Sequence, residues 1–221
     1  MNRIFPIFGL VMFGLATATT ARADFTVISS LTGANDGPDE ITASNGTWLA
    51  NEFVTGTNAA GYSLSSVTIS MGAANNAVGA FVMEIFSNNA GLGIPGTLLQ
   101  TLTGNANPST AGNYTYTATS LNLNPSTIYW LVEGVTSGAG SYNDTFTVSP
   151  GSYLNQGWSL PGTFTTGNAP GAGWNISTIT SGPTRFSLQI VPEPAESALA
   201  FGVVGLAAVM VQRRKRAAFV T

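Results

Sequence analysis

The chain has 221 residues with only seven Lys or Arg and ten Asp or Glu, and it contains neither His nor Cys. Serine-protease-type triads, Cys-His pairs, His- or Cys-ligated metal centres and disulfides are therefore excluded. Residues 24–191 hold one base, Arg185, against eight acids, a formal charge of −7. So base-poor a segment cannot neutralise a phosphate backbone, and no nucleic-acid partner is expected.

In chain order, residues 1–23 read as a secretory signal peptide. Arg3 precedes an apolar run from Ile4 to Ala16, and the segment closes on Ala21-Arg22-Ala23, with cleavage expected before Asp24. The apolar run gives about 20 Å of helix, too short to span a bilayer comfortably. The mature body then covers residues 24–191, a length suited to one domain. Its first distinctive stretch is Asn35-Asp36-Gly37-Pro38-Asp39-Glu40. Asp36, Asp39 and Glu40 could supply hard oxygen ligands to Ca²⁺, although their spacing is not that of an EF-hand loop; the alternative is a solvated acidic turn. No other cofactor is expected.

Period-2 alternation follows, the mark of half-buried strands. Val67, Ile69 and Met71 alternate with Ser66, Thr68 and Ser70. Tyr114, Tyr116 and Ala118 alternate with threonines; Phe146 and Val148 with Thr145, Thr147 and Ser149; Phe186, Leu188 and Ile190 with Arg185, Ser187 and Gln189. The stretches 80–86 and 127–135 are apolar at nearly every position and predict strands covered on both faces. Turn signals such as Asn124-Pro125 and Pro150-Gly151 separate these segments. The pattern predicts an all-β fold, an antiparallel β-sandwich of jelly-roll type.

Few side chains in the body could carry chemistry. Glu84 and Glu133 lie in the two most apolar strands, and a glycosidase would need such carboxyls within about 5–9.5 Å of each other across a cleft. Nothing in the sequence brings them together, so no catalytic residue is assigned and a non-enzymatic role is expected. Trp158 and Trp174 lie in Gly-rich, loop-like surroundings and are the candidates for stacking on sugar rings, with core filling as the alternative.

The C-terminal segment, residues 192–216, has three parts. Pro192-Glu193-Pro194 cannot be helical. An uncharged stretch from Ser197 to Val211 gives about 22 Å of helix, marginal for a single transmembrane span. Arg213, Arg214, Lys215 and Arg216 form a basic stop that directs the tail to the cytoplasm and the body outside.

This ordered trio resembles the PEP-CTERM sorting signal of Gram-negative bacteria. The resemblance implies an exosortase-type membrane protease as partner, with Pro192, Glu193 and Pro194 as its recognition residues. It implies transient anchoring in the inner membrane through the C-terminal helix, then release to the cell surface or extracellular matrix. The family commonly has Ser after the triplet, where this chain has Ala195. The body also resembles choice-of-anchor ectodomains of the R type, through Asn51-Glu52-Phe53-Val54-Thr55-Gly56, Tyr62-Ser63-Leu64-Ser65-Ser66-Val67, Pro95-Gly96-Thr97-Leu98-Leu99 and Leu123-Asn124-Pro125-Ser126-Thr127-Ile128-Tyr129-Trp130-Leu131. That likeness implies a surface domain that recurs with different anchors, not a named activity. The two terminal signals, the Ser/Thr-rich strand faces and the missing catalytic side chains point to a structural or adhesive role. A carbohydrate-binding module for extracellular polysaccharide is the alternative.

Overall fold

Alternating residues on an extended chain point to opposite faces, so each half-apolar segment must find a partner layer for one of its faces. The computed structural model describes residues 24–42, 46–76, 79–148, 153–154, 157–161, 164–168, 174–175 and 182–191, and among them the fold is all-β. The signal segment 1–23 and the sorting segment 192–216 lie outside the described residues.

One sheet has seven strands. They are β1 (Phe25–Ser29), β2 (Gly37–Thr42), β4 (Tyr62–Met71), β7 (Gly112–Leu123), β9 (Ser141–Phe146), β10 (Tyr153–Leu154) and β13 (Phe186–Val191). The other has six: β3 (Thr47–Val54), β5 (Phe81–Asn89), β6 (Ile94–Thr101), β8 (Ile128–Val135), β11 (Phe164–Asn168) and β12 (Trp174–Asn175). Every pairing between these strands is antiparallel. Strand β4 is the hub of the first sheet. It pairs along its length with β7, and on its other edge with β13 and then, at Met71, with β9. In the second sheet the order β12-β11-β3-β8-β5-β6 places β8 centrally, between β3 and β5.

The two sheets share one core. Val67, Ile69, Phe186 and Leu188 from the first meet Leu49, Phe53, Met83, Ile85 and Leu131 from the second, all sealed from solvent. Aromatic contacts gather at two places: Phe53, Tyr62, Tyr129 and Trp158 at one, and Phe81, Tyr116 and Tyr142 at the other. The outer face of the six-stranded sheet carries a second buried cluster of Trp48, Ala50, Phe86, Trp130 and Val132. Strand β8 is thus apolar on both faces, as its sequence indicates.

Strand β9 keeps its expected phase and departs from it only past its end. In β9 and just beyond it, the inward and closely packed positions are Tyr142, Asp144 and Thr147, while Val148 is 58 % exposed. Phe146 shares the face of Tyr142 and Asp144 and is half-buried, its ring 2.9 Å from where a Cβ on Gly37 would stand. Pairing sets this phase. Tyr142 opposes Ile41 and Asp144 opposes Asp39 across β2, and the Ile41 side chain fixes which face is buried.

On the outer face Trp48 packs closely on Gly134, its cross-strand neighbour one step from the Leu49–Glu133 pair. A Cβ on Gly134 would stand 2.1 Å from the Trp48 ring. We expect Gly134→Ala to lower stability by about 1–3 kcal/mol through overpacking. Denaturant unfolding of the full chain measures it, and a change below about 0.5 kcal/mol, the size of a neutral surface substitution, would show that Trp48 does not rest there.

Candidate functional site

The central position of β8 decides where Glu133 goes. Trp130, Val132 and Gly134 occupy its outer face and Tyr129, Leu131 and Val135 its inner face, so neither face offers an acid any water. Glu133 takes the inner face, opposite Leu49 on β3 and Met83 on β5, and is 0 % exposed. From the facing sheet, Asp144 also enters the interior, held there by the Tyr142 and Ile41 phase, and is likewise 0 % exposed. The two carboxyls meet between the sheets.

A short polar chain supports them. The Asn51 amide Nδ2 donates to Thr184 Oγ1 at 2.8 Å, and the Thr184 backbone N–H returns a bond to Asn51 Oδ1 at 3.0 Å. Thr184 Oγ1 then donates to Glu133 Oε1 at 3.3 Å. Glu133 Oε2 and both Asp144 carboxyl oxygens have no hydrogen-bond donor in range. Burial pushes the Glu133 carboxyl up to about 8, with the Thr184 hydroxyl pulling back and the Asp39 charge adding to the rise. Asp144 is held well above the usual carboxylate range by burial first and the Glu133 charge second. The neighbouring Thr145 N–H and Thr184 hydroxyl favour its anion, but both sit outside hydrogen-bond geometry and burial outweighs them.

Arg185 does not compensate. Its Nη1 donates to Ser70 Oγ at 3.2 Å and approaches Thr145 Oγ1 at 3.5 Å, while Nη2 donates to the Leu31 carbonyl at 2.6 Å. Ser70 and Thr145 are the strand neighbours of Met71 and Asp144, so these hydroxyls stand on the opposite face of the sheet. The domain's single base therefore serves the outer face.

Other residues singled out in the sequence are dispersed. Glu84 opposes Val132 on β8 and accepts a hydrogen bond from Thr101 Oγ1 at 2.9 Å, on the outer face of the sheet whose inner face carries Glu133. The two glutamates lie on opposite faces and flank no common cleft. Burial raises the Glu84 carboxyl, and the Thr101 hydroxyl lowers it in part. Asp36 accepts the Val148 N–H at 2.7 Å, Asp39 turns inward toward Asp144, and Glu40 is exposed on the other face of β2. Trp174 is half-buried against the Trp48–Trp130 cluster. Trp158 corrects the expectation that it stands exposed: it is 3 % exposed. The bridge between Val54 and Ser159 lays its segment along β3, and its indole packs 4.8 Å from Tyr62 and 6.2 Å from Phe53. The sorting residues Pro192, Glu193 and Pro194, the basic stop Arg213 to Arg216, and Ala21 and Ala23 lie outside the described residues.

Asp144, Asn51 and Thr184 escaped the sequence reading. The signal for the first two is phase: Asp144 lies two residues from Tyr142, and Asn51 lies between Leu49 and Phe53 on the core-facing register. Thr184 precedes β13 and has no such signal.

Among the described residues, one concavity is an open groove of about 570 Å³ whose lining includes Asn88, Leu99, Asn122, Asn124, Ser126 and Tyr129. No charged side chain lines it. Asn88 Oδ1 accepts the Trp130 indole N–H at 3.0 Å, linking the groove wall to the outer aromatic cluster. No protein-family model, curated protein or solved structure matches the chain.

As Trp158 fills the core, Trp158→Ala should cost about 3–5 kcal/mol, the range of large aromatic truncations. Denaturant unfolding reads this directly, and a near-neutral result would mean the indole is not buried between Phe53 and Tyr62.

Proposed function

We propose that this chain is an exported protein with a structural or adhesive role at the cell surface or in the extracellular matrix, sorted by an exosortase-type system. The observation that carries the reading is the order Pro192-Glu193-Pro194, apolar stretch, Arg213-Arg214-Lys215-Arg216, behind an N-terminal export signal. The body, taken as a jelly-roll-like sandwich, suits that task. Strand β7 turns a row of hydroxyls and amides outward, including Asn113, Thr115, Thr117, Thr119 and Asn122, with Thr68 Oγ1 and Thr115 Oγ1 2.8 Å apart beside it. Such a face binds water and neutral polymers without charge.

The test is fractionation of cells with intact-mass measurement of the recovered protein. The wild-type chain should lose both ends and leave the inner membrane. Replacing Pro192, Glu193 and Pro194 with alanine should strand it there with its tail attached. A wild-type protein that keeps its tail and stays in the inner membrane overturns the reading.

The uncharged groove favours a second reading, retention of extracellular polysaccharide. Its amide and hydroxyl lining with apolar patches matches the edges and faces of neutral sugars. Titration with the host's exopolysaccharide should shift tryptophan emission, because the Trp130 indole bonds a groove residue. Asn124→Ala should weaken the response several-fold; an unchanged spectrum over the titration would count against it.

A further inference from the structure

We propose that Glu133 and Asp144 form a carboxyl pair that traps a proton between the two sheets and makes their closure over each other pH-dependent. The inference stands on geometry. Both side chains are 0 % exposed, they come from opposite sheets, and three of their four oxygens have no donor. Like charges cannot both be buried together without neutralisation, because desolvation penalises each and repulsion penalises the pair.

The groups around the pair leave a proton as the neutraliser. From β2 comes Asp39, another acid, set directly against Asp144. From β7 and β9 come the phenols of Tyr116 and Tyr142, which donate to the Asn105 carbonyl and to Asn107 Oδ1 respectively. The inward neighbours on β3, β4 and β5 are Leu49 and Asn51, Met71, and Met83, none of them titratable. Arg185 faces outward, Glu84 lies on the far side of its sheet, and Glu52 pairs beside Trp130 on that same outer side. Calcium fits poorly. It takes about six to eight oxygens, whereas Asn51 Oδ1 and the Thr184 hydroxyl are already engaged with each other and with Glu133.

The direction of the effect follows from linkage. Glu133 rises from 4.5 in a free chain to about 8 in the fold, and Asp144 rises as well. Below pH 4.5 folded and unfolded chains both hold the proton, and the contribution to stability is fully present. Between 4.5 and about 8 the unfolded chain releases it and the folded chain keeps it, so stability falls as pH rises. The domain is tightest in acid surroundings and loosens toward mild alkali.

Urea unfolding of the full chain from pH 5 to 9 tests this, beside Glu133→Gln, Asp144→Asn and the exposed control Glu40→Gln. The wild-type folding constant should fall at least about tenfold per pH unit up to about pH 8, the response to one or more retained protons. Glu133→Gln and Asp144→Asn should flatten that slope, while Glu40→Gln, which removes the same charge from the surface, should keep it. An infrared band of a protonated carboxyl should persist at pH 7 in wild type, weaken in Glu133→Gln and vanish in Glu133→Gln with Asp144→Asn. A wild-type profile flat from pH 5 to 8, or a slope removed equally by Glu40→Gln, overturns the proposal, even where a core variant fails to fold. So does stability that collapses in EDTA and returns with Ca²⁺, which would make the neutraliser a cation.

Discussion

Two acids sealed between two sheets, in a domain whose one base faces the other way, constrain everything around them. An ionised carboxylate left unpaired in an interior costs several kcal/mol after relaxation. The fold cannot avoid placing Glu133 there, because β8 is flanked by β3 and β5 and covered on both faces. Slipping β8 by one residue would move Glu133 to the outer face, but Leu131 and Val135 would leave the core with it. Apolar phase therefore overrides the preference of the acid, and the acid must adapt by changing its protonation.

The Asn51–Thr184 exchange belongs to the same solution. Asn51 sits on β3 of one sheet, and Thr184 leads into β13 of the other. Their reciprocal bonds, with the Thr184 hydroxyl reaching Glu133, tie the sheets by directional contacts where aliphatic packing is interrupted. Ser30 adds a backbone brace nearby, accepting the Phe186 N–H at 2.9 Å and donating to the Thr184 carbonyl at 3.0 Å. A domain with no Cys has no covalent staple, so registry between its layers rests on such polar contacts and on the aromatic groups at either side of the seam.

Much of this was legible before the structure. The alternation in β4, β7 and β13 gave the correct inward residues, because each opposes a partner of the same phase: Val67 faces Leu188 and Tyr116, and Ile69 faces Phe186 and Tyr114. The doubly apolar character of β8 was legible for the same reason. The β9 phase was legible through Phe146 and misled only beyond it, where apolar character was taken as the mark of the inside. Thr147 is buried and Val148 exposed there, and within β9 the inward register passes through Asp144, whose burial depends on Ile41 more than a hundred residues earlier. Trp158 misled in the opposite sense. Its glycine-rich flanks suggest a loop, and Gly157 does take a left-handed φ of 80°, but that turn delivers the indole into the core. Periodicity reports which residues share a face; only long-range pairing reports which face is covered.

Base depletion links the interior to the surface. A body with eight acids against one Arg has no cationic patch with which to adhere to anionic polymers. Raising the pH adds charge inside at the seam and leaves the outside equally repulsive, so the two effects act together against the compact state. Under the proposed adhesive role, contact with such polymers would rest on neutral donors and acceptors. Those are concentrated where the exposed row of β7 runs into the groove at Leu121 and Asn122. Because β7 pairs with β4, whose Met71 opposes Asp144, the same strand system that displays this face also closes over the buried acids. A surface built on that strand depends for its shape on the protonation of carboxyls it never touches.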